Sequence, residues 1–191
     1  MKRAKKKRKA RAKPIRLPGD LGDAALIDRI IRVDQAGEYG AVRIYAGQLA
    51  VLGRRGGSAA IRRMAEKEEE HLAAFNQLMV ERRARPTVLM PLWHVAGFAL
   101  GAGTALLGER AAMACTVAVE EVIDAHYAGQ VPLLGPEEAP LRRTLEKFRR
   151  DERDHRDRAL DAGAEKAPLY RPLTAAVKAA SRLAIWLSER I

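Results

Sequence analysis

The stretch MAEKEEEHLAAFNQLM, residues 64–79, sets three consecutive glutamates directly before a histidine, on what its apolar spacing makes one amphipathic helix. A solvated charged face is the ordinary reading of such a run. The sharper one is that Glu68 and His71, three residues apart, share a helix face and hold a metal ion. The rest of the sequence decides between them.

The chain repeats itself. GEYGAVRIYAGQL places Tyr45-Ala46-Gly47-Gln48 behind Glu38, and VEEVIDAHYAGQV places Tyr127-Ala128-Gly129-Gln130 behind Glu120 at the same offset. The helix after each carries Glu-x-x-His: Glu68 with His71, and Glu152 with His155. Two of only four histidines in this setting point to a duplicated helical hairpin. GRRGG at 53–57 and PLLGPEEAP at 132–140 break the two hairpins, and Ser58 is placed to cap the second helix, which runs to about Arg83. The midpoint of Glu38 and Glu68 falls on the first break and that of Glu120 and Glu152 on the second. Each glutamate then stands about fifteen residues, roughly 22 Å, from its turn at 1.5 Å of helix rise per residue. All six side chains can therefore meet at one level of a four-helix bundle.

One Glu from each of two helices and Glu-x-x-His from each of the other two is the ligand set of a carboxylate-bridged dinuclear site. Four carboxylates balance two divalent ions, which lets the cluster sit in a low-dielectric core. Carboxylate and imidazole suit iron or manganese, and the lack of thiolate argues against structural zinc. Glu68 and Glu152 are expected to bridge, with Glu38 and Glu120 terminal. Glu121 competes with Glu120, but the offset to Tyr127 selects Glu120. Asp34, one turn before Glu38, either orients a ligand histidine or is an ordinary helix aspartate; Asp151 could serve the other half. His126 and Tyr127 are candidates to face a substrate, a packed core tyrosine being the other reading of Tyr127. His94 is read as interfacial or buried.

The formal charge of +11 resides in a tail. Ten of the 35 basic residues lie in residues 1–16, which hold no acid, leaving 25 basic against 24 acidic residues elsewhere. Residues 1–20 are expected to be a disordered basic tail suited to anionic lipid, and residues 21–191 one helical domain. No aromatic residue interleaves with the charges, so no specific nucleic-acid partner is expected. The tail lacks the apolar run of a signal peptide, and it has no serine of the kind a transit peptide carries. A single cysteine, Cys115, excludes an internal disulfide.

With these residues in hand, RVDQAGEYGAVRIYAGQLAVL, EEEHLAAFNQLM, ACTVAVEEVIDAHYAGQV, DERDHRDRALD and AIWLSERI resemble the demethoxyubiquinone hydroxylase family, over about residues 25–191. The resemblance implies an all-α, ferritin-like four-helix bundle built from two similar hairpins, plus an apolar C-terminal helix. It implies a di-iron monooxygenase that hydroxylates a 2-polyprenyl-3-methyl-6-methoxy-1,4-benzoquinol with O2 in ubiquinone biosynthesis. It carries the family's ligands to Glu38, Glu68, His71, Glu120, Glu152 and His155, and its outer-sphere pair to His126 and Tyr127. It also associates the reaction with NADH as external reductant, although no dinucleotide fingerprint is present. GAGTALLG, residues 101–108, has no strand before it and reads as a helix-packing surface.

A polyprenyl substrate needs membrane access. Residues 86–108 carry no Lys, Arg, Asp or Glu, long enough to span a bilayer, but the prolines and glycines weaken that reading. The same helix also has to continue to Glu120. A helix half-embedded in one leaflet fits better, joined by the last helix with Lys178 and Arg182 placed to snorkel. The expected partners are the polyprenyl benzoquinol, a membrane surface, an accessory lipid-binding protein and further copies of the chain. The expected location is the cytoplasmic face of the cell membrane, peripherally, or the matrix side of the mitochondrial inner membrane. The competing reading is a soluble ferritin-like di-metal oxidase, peroxidase or iron-handling protein, which leaves the apolar stretch unexplained.

Overall fold

The computed structural model describes residues 21–53 and 59–191. The basic tail, the Ser58 cap and all but Gly53 of the first break lie outside the described residues. Six α-helices run in chain order: α1 Asp23–Leu52, α2 Ala59–Arg82, α3 Met90–Leu106, α4 Glu109–Gln130, α5 Ala139–Asp161 and α6 Tyr170–Ser188. Among the described residues there is no strand.

Helices α1, α2, α4 and α5 form the bundle. Gln35 bonds Asn76 while Glu38 approaches His71, so α1 and α2 run in opposite directions. Arg149 pairs with Asp124 while His155 approaches Glu120, and α4 and α5 do the same. Two apolar clusters fill the interior, one around Ile31, Phe75 and Leu145, the other around Ile61, Met64 and Met113. Burying each of these side chains contributes about 1.5–3 kcal/mol. The carboxylates and imidazoles of the repeat lie at the waist between them.

The apolar stretch departs from its expectation. It does not run on into the helix of Glu120: Leu107 and Gly108 break it into α3 and α4. Gly108 adopts φ 109°, a left-handed backbone that a side chain would strain. Pro91 falls in the first turn of α3, where its missing N–H costs no helical hydrogen bond. Among the described residues no helix is long and apolar enough to cross a membrane.

Freed from α4, α3 lies along α1 at backbone contact. A Cβ at Gly47 would overlap the Phe98 carbonyl, and one at Gly101 the Ile44 carbonyl. The helix-packing role expected of GAGTALLG thus rests on Gly101, helped by Gly97 further upstream. Helix α6 packs on α4. Lys178 on α6, expected to reach for lipid, instead pairs with Glu121 of α4.

Candidate metal centre

Helical periodicity turns six polar side chains inward at the bundle waist. Glu38 (α1), Glu68 and His71 (α2), Glu120 (α4), and Glu152 and His155 (α5) are all buried, none more than 4% exposed. Their ligand atoms fall into two overlapping groups, Glu38–Glu68–His71–Glu152 and Glu68–Glu120–Glu152–His155, with the atoms of each group within 4.8 Å of one another. Glu68 and Glu152 belong to both groups, the placement that bridging carboxylates require. Glu121 points away to Lys178, so Glu120 is the member of that pair at the waist.

Whether this set fits a metal pair can be judged from its unused atoms. Glu38 Oε2, both oxygens of Glu68 and of Glu152, Glu120 Oε2, His71 Nδ1 and His155 Nδ1 are buried without a hydrogen bond. His155 Nδ1 lies 2.9 Å from Glu68 Oε1, and His71 Nδ1 3.1 Å from Glu152 Oε1, yet neither nitrogen is aligned to bond. An orphaned buried polar atom costs about 1–3 kcal/mol, more when charged. Eight of them facing one another make sense as donors to cations.

The electrostatics agree. Burial and the neighbouring Glu152 push the Glu68 carboxyl well above the usual range; burial and Glu120 do the same to Glu152. Burial also acts to raise Glu120, but His155 and the Tyr45 phenol outweigh it and its net shift is downward. Burial depresses His155, yet the surrounding carboxylates carry it up to about 12. Negative charge is in excess, as a cation site needs.

The groups outside the cluster aim it. Asp151 Oδ2 sits 3.1 Å from His71 Nε2, which fixes that nitrogen as the protonated one and leaves Nδ1 bare toward the centre. The two repeat tyrosines cross over. Tyr45 of the first half donates to Glu120 of the second at 2.7 Å, and Tyr127 of the second donates to Glu38 of the first. Burial, aided by the adjacent carboxylates, raises both phenols well above their ordinary range, so they remain donors.

On the Glu38 side an apolar cavity of about 270 Å³ opens between α1, α3, α4 and α6. Of the six clustered residues only Glu38 borders it, alongside Asp34, His126 and Tyr127. Trp93 and Ser188 form part of its rim, joined by a 3.0 Å hydrogen bond.

Residues 25–188 match the family model described as ubiquinone biosynthesis protein COQ7. This chain belongs to the COQ7 family. A Rhodospirillum rubrum relative named 3-demethoxyubiquinol 3-hydroxylase is 62% identical over 177 residues, covering 92% of this chain and 84% of its own. A Homo sapiens relative, NADPH-dependent 3-demethoxyubiquinone 3-hydroxylase, mitochondrial, is 57% identical, covering 87% and 79%. The Saccharomyces cerevisiae 5-demethoxyubiquinone hydroxylase, mitochondrial, is 44% identical, covering 88% and 79%.

Within this COQ7-family site several side chains sit differently from their sequence expectation. Asp34 does not orient a clustered histidine. It faces His126, and the aspartate that holds His71 is Asp151. Separation explains this: a carboxylate one turn before Glu38 lies beyond the waist, whereas Asp151 is adjacent to Glu152 on α5. Tyr45 served in the sequence only as a marker of the repeat; its contact with Glu120 was legible in the matched Tyr-Ala-Gly-Gln, had a crossing of the two halves been assumed. His94 is exposed on α3, neither buried nor near the cluster, and lies 2.5 Å from the Tyr39 hydroxyl.

Proposed function

We propose that this chain is a di-iron monooxygenase that hydroxylates the ring of a demethoxyubiquinol with O2 in ubiquinone biosynthesis. Glu38, Glu68, His71, Glu120, Glu152 and His155 would hold the two ions, Glu68 and Glu152 being the residues common to both groups. The observation that carries the reading is the ring of eight unpartnered donor atoms bordering, through Glu38, a cavity otherwise walled by apolar side chains. The names of the relatives, hydroxylases of demethoxyubiquinol or demethoxyubiquinone, support the substrate class.

Held by these six residues, a pair of ferrous ions would supply the electrons that activate dioxygen. The chain does the rest. Its apolar clusters exclude water, Asp151 holds the His71 ring in one tautomer, and the crossed tyrosines steady the two terminal glutamates. The cavity admits a ring from the Glu38 side. One oxygen atom enters the ring and the other leaves as water, which takes two electrons from an external reductant and two protons, at least one of them from solvent. A nicotinamide fits that role, NADH by family resemblance, and the Homo sapiens relative is named for NADPH.

Access from a bilayer suits the outer faces of α3 and α6, where Leu92, Val95, Leu106, Leu183 and Trp186 are each more than half exposed, as is Leu107 just past the end of α3. Peripheral attachment to an anionic membrane through this face is part of the proposal. Several relatives are named as mitochondrial, and attachment to either a mitochondrial or a bacterial cell membrane would use this same surface. An accessory lipid-binding protein or a second copy would compete for it.

The test is anaerobic loading with Fe(II), then addition of O2, reductant and a short-chain demethoxyquinol, followed by mass analysis. A product one oxygen atom heavier, absent in Glu152→Ala, is expected. Unchanged quinol from a fully loaded enzyme overturns the reading and returns the iron-handling alternative.

A further inference from the structure

The two groups of ligand atoms match on the inside and differ on the outside. Each takes one terminal glutamate, one imidazole and the two shared carboxylates, and each terminal glutamate accepts from one of the crossed tyrosines. The duplication leads one to expect matched partners behind the two histidines as well. Behind His71 stands Asp151, the residue before Glu152, which reaches from α5 to α2 and lies 3.1 Å from Nε2. Its counterpart in the other half, the residue before Glu68, is Lys67. An ammonium has donors and no acceptor, so it cannot receive the second N–H of His155. Lys67 instead turns along its own helix to Glu70 at 2.6 Å.

The polar contacts of the His155 ring all run through Nδ1, toward Glu68, Glu120 and Glu152. Nε2 meets no acceptor among the described residues, and unlike Nδ1 it is not sealed from solvent. His155 is accordingly 4% exposed where His71 is 0% exposed. A fixed acceptor on the second ring nitrogen holds a ligand histidine in one tautomer and raises its basicity, and loss of that acceptor costs about 10–100-fold in metal affinity. The cavity adds a direction. It borders Glu38 alone of the six, so the position with the supported imidazole faces the cavity. The position with the unsupported imidazole lies away from it, at the seam of α2 and α5 where the Lys67 and Asp151 side chains meet water.

We propose that the two ions are held unequally: the one at Glu38 and His71 is retained, and the one at Glu120 and His155 exchanges with solution across the α2–α5 seam. The inference rests on the two-metal reading above and makes Asp151 the positioning residue responsible for the difference. Where ferrous iron is scarce, the resting form is a half-loaded protein with its cavity-side position filled. Occupancy of the outer position then follows iron supply.

The experiment is release of Fe(II) from the intact, anaerobically loaded protein into excess bipyridine, followed by the colour of the chelate. Wild type is expected to give up one ion about 10–100-fold faster than the other. Asp151→Ala should speed the slow phase until the two merge. Lys67→Asp supplies the missing acceptor and should slow the fast phase, whereas Lys67→Ala, which adds no acceptor, should release iron as wild type does. Both ions leaving wild type in one phase overturns the proposal, as does an Asp151→Ala protein in which the fast phase accelerates and the slow one does not. A Lys67→Asp protein that loads two ions yet releases them with wild-type kinetics overturns it too, and the Asp151→Ala phases decide even where Lys67→Asp fails to fold. A wild-type chain that binds fewer than two ions takes down the two-metal reading together with this inference. Equal release from two filled positions sinks the inference alone.

Discussion

Replacing Glu68 with leucine should have opposite effects on the metal-free and the iron-loaded protein. Without metal, four buried carboxyl groups face two imidazoles, so the excess negative charge is met only by proton uptake, and both Glu68 oxygens lack a hydrogen bond. Exchanging such a group for an apolar one of similar volume typically stabilises by about 1–4 kcal/mol. For a chain of this size each kcal/mol is about 2–4 °C in Tm, so a gain of 2 kcal/mol is about 4–8 °C. The difference should widen with pH. The folded-state pKa values of Glu68 and Glu152 are raised, so between the ordinary glutamate value of 4.5 and those raised values the folded state binds more protons than the unfolded. Stability of the metal-free wild type therefore falls as pH climbs from 4.5 through that window, and His155, raised from 6.5 to about 12, acts in the same direction above 6.5. Glu120, lowered, works oppositely at the acid end. Thermal melts in chelator at pH 5, 6, 7 and 8 read this directly. With saturating Fe(II) the order reverses, because only the wild type gains binding energy from both ions. A metal-free Glu68→Leu protein less stable than wild type at pH 7 would refute the reasoning, since Glu68 would then be a satisfied core residue.

Further consequences concern the surrounding groups. Asp151→Ala removes the acceptor that fixes the His71 tautomer and should weaken iron binding by roughly 10–100-fold, read by chelator competition, with little change in the melting of metal-free protein. Tyr127→Phe strips the donor from Glu38 and should impair turnover and iron retention, the loss being about 1–3 kcal/mol in the loaded protein's stability; wild-type behaviour would dissolve the crossed pairing. Gly101→Leu forces α3 off α1, since even a Cβ there meets the Ile44 carbonyl. Quinol affinity should fall, while Glu68 and Glu152 on the far helices keep much of the iron. Loading iron should also displace protons from the raised carboxyl and imidazole groups, so indicator dye in weak buffer should acidify as Fe(II) is added.

Sequence alone was enough to place six side chains at one depth of a four-helix bundle. The reason is geometric: a helix rises by a constant amount per residue, so equal distances from two turns put Glu38, Glu68, Glu120 and Glu152 level, and the i, i+3 step adds His71 and His155 to the same face. What crosses between elements was not legible. The break at Leu107–Gly108 depends on backbone dihedrals in an unbroken apolar run, and nothing in composition marks one glycine among several as the left-handed one. Asp34 was the leading candidate to hold a ligand histidine and Asp151 the lesser one, and only the approach of α5 to α2 brought Asp151 to His71 while α4 brought His126 to Asp34. Likewise the pairing of each repeat tyrosine with the other half's glutamate, and the cavity that sets Asp34 beside Glu38, arise where helices distant in sequence meet. Local periodicity determines which face a residue occupies; which neighbour it finds there is decided by packing, because that is where the chain's separate helices first come within hydrogen-bond reach.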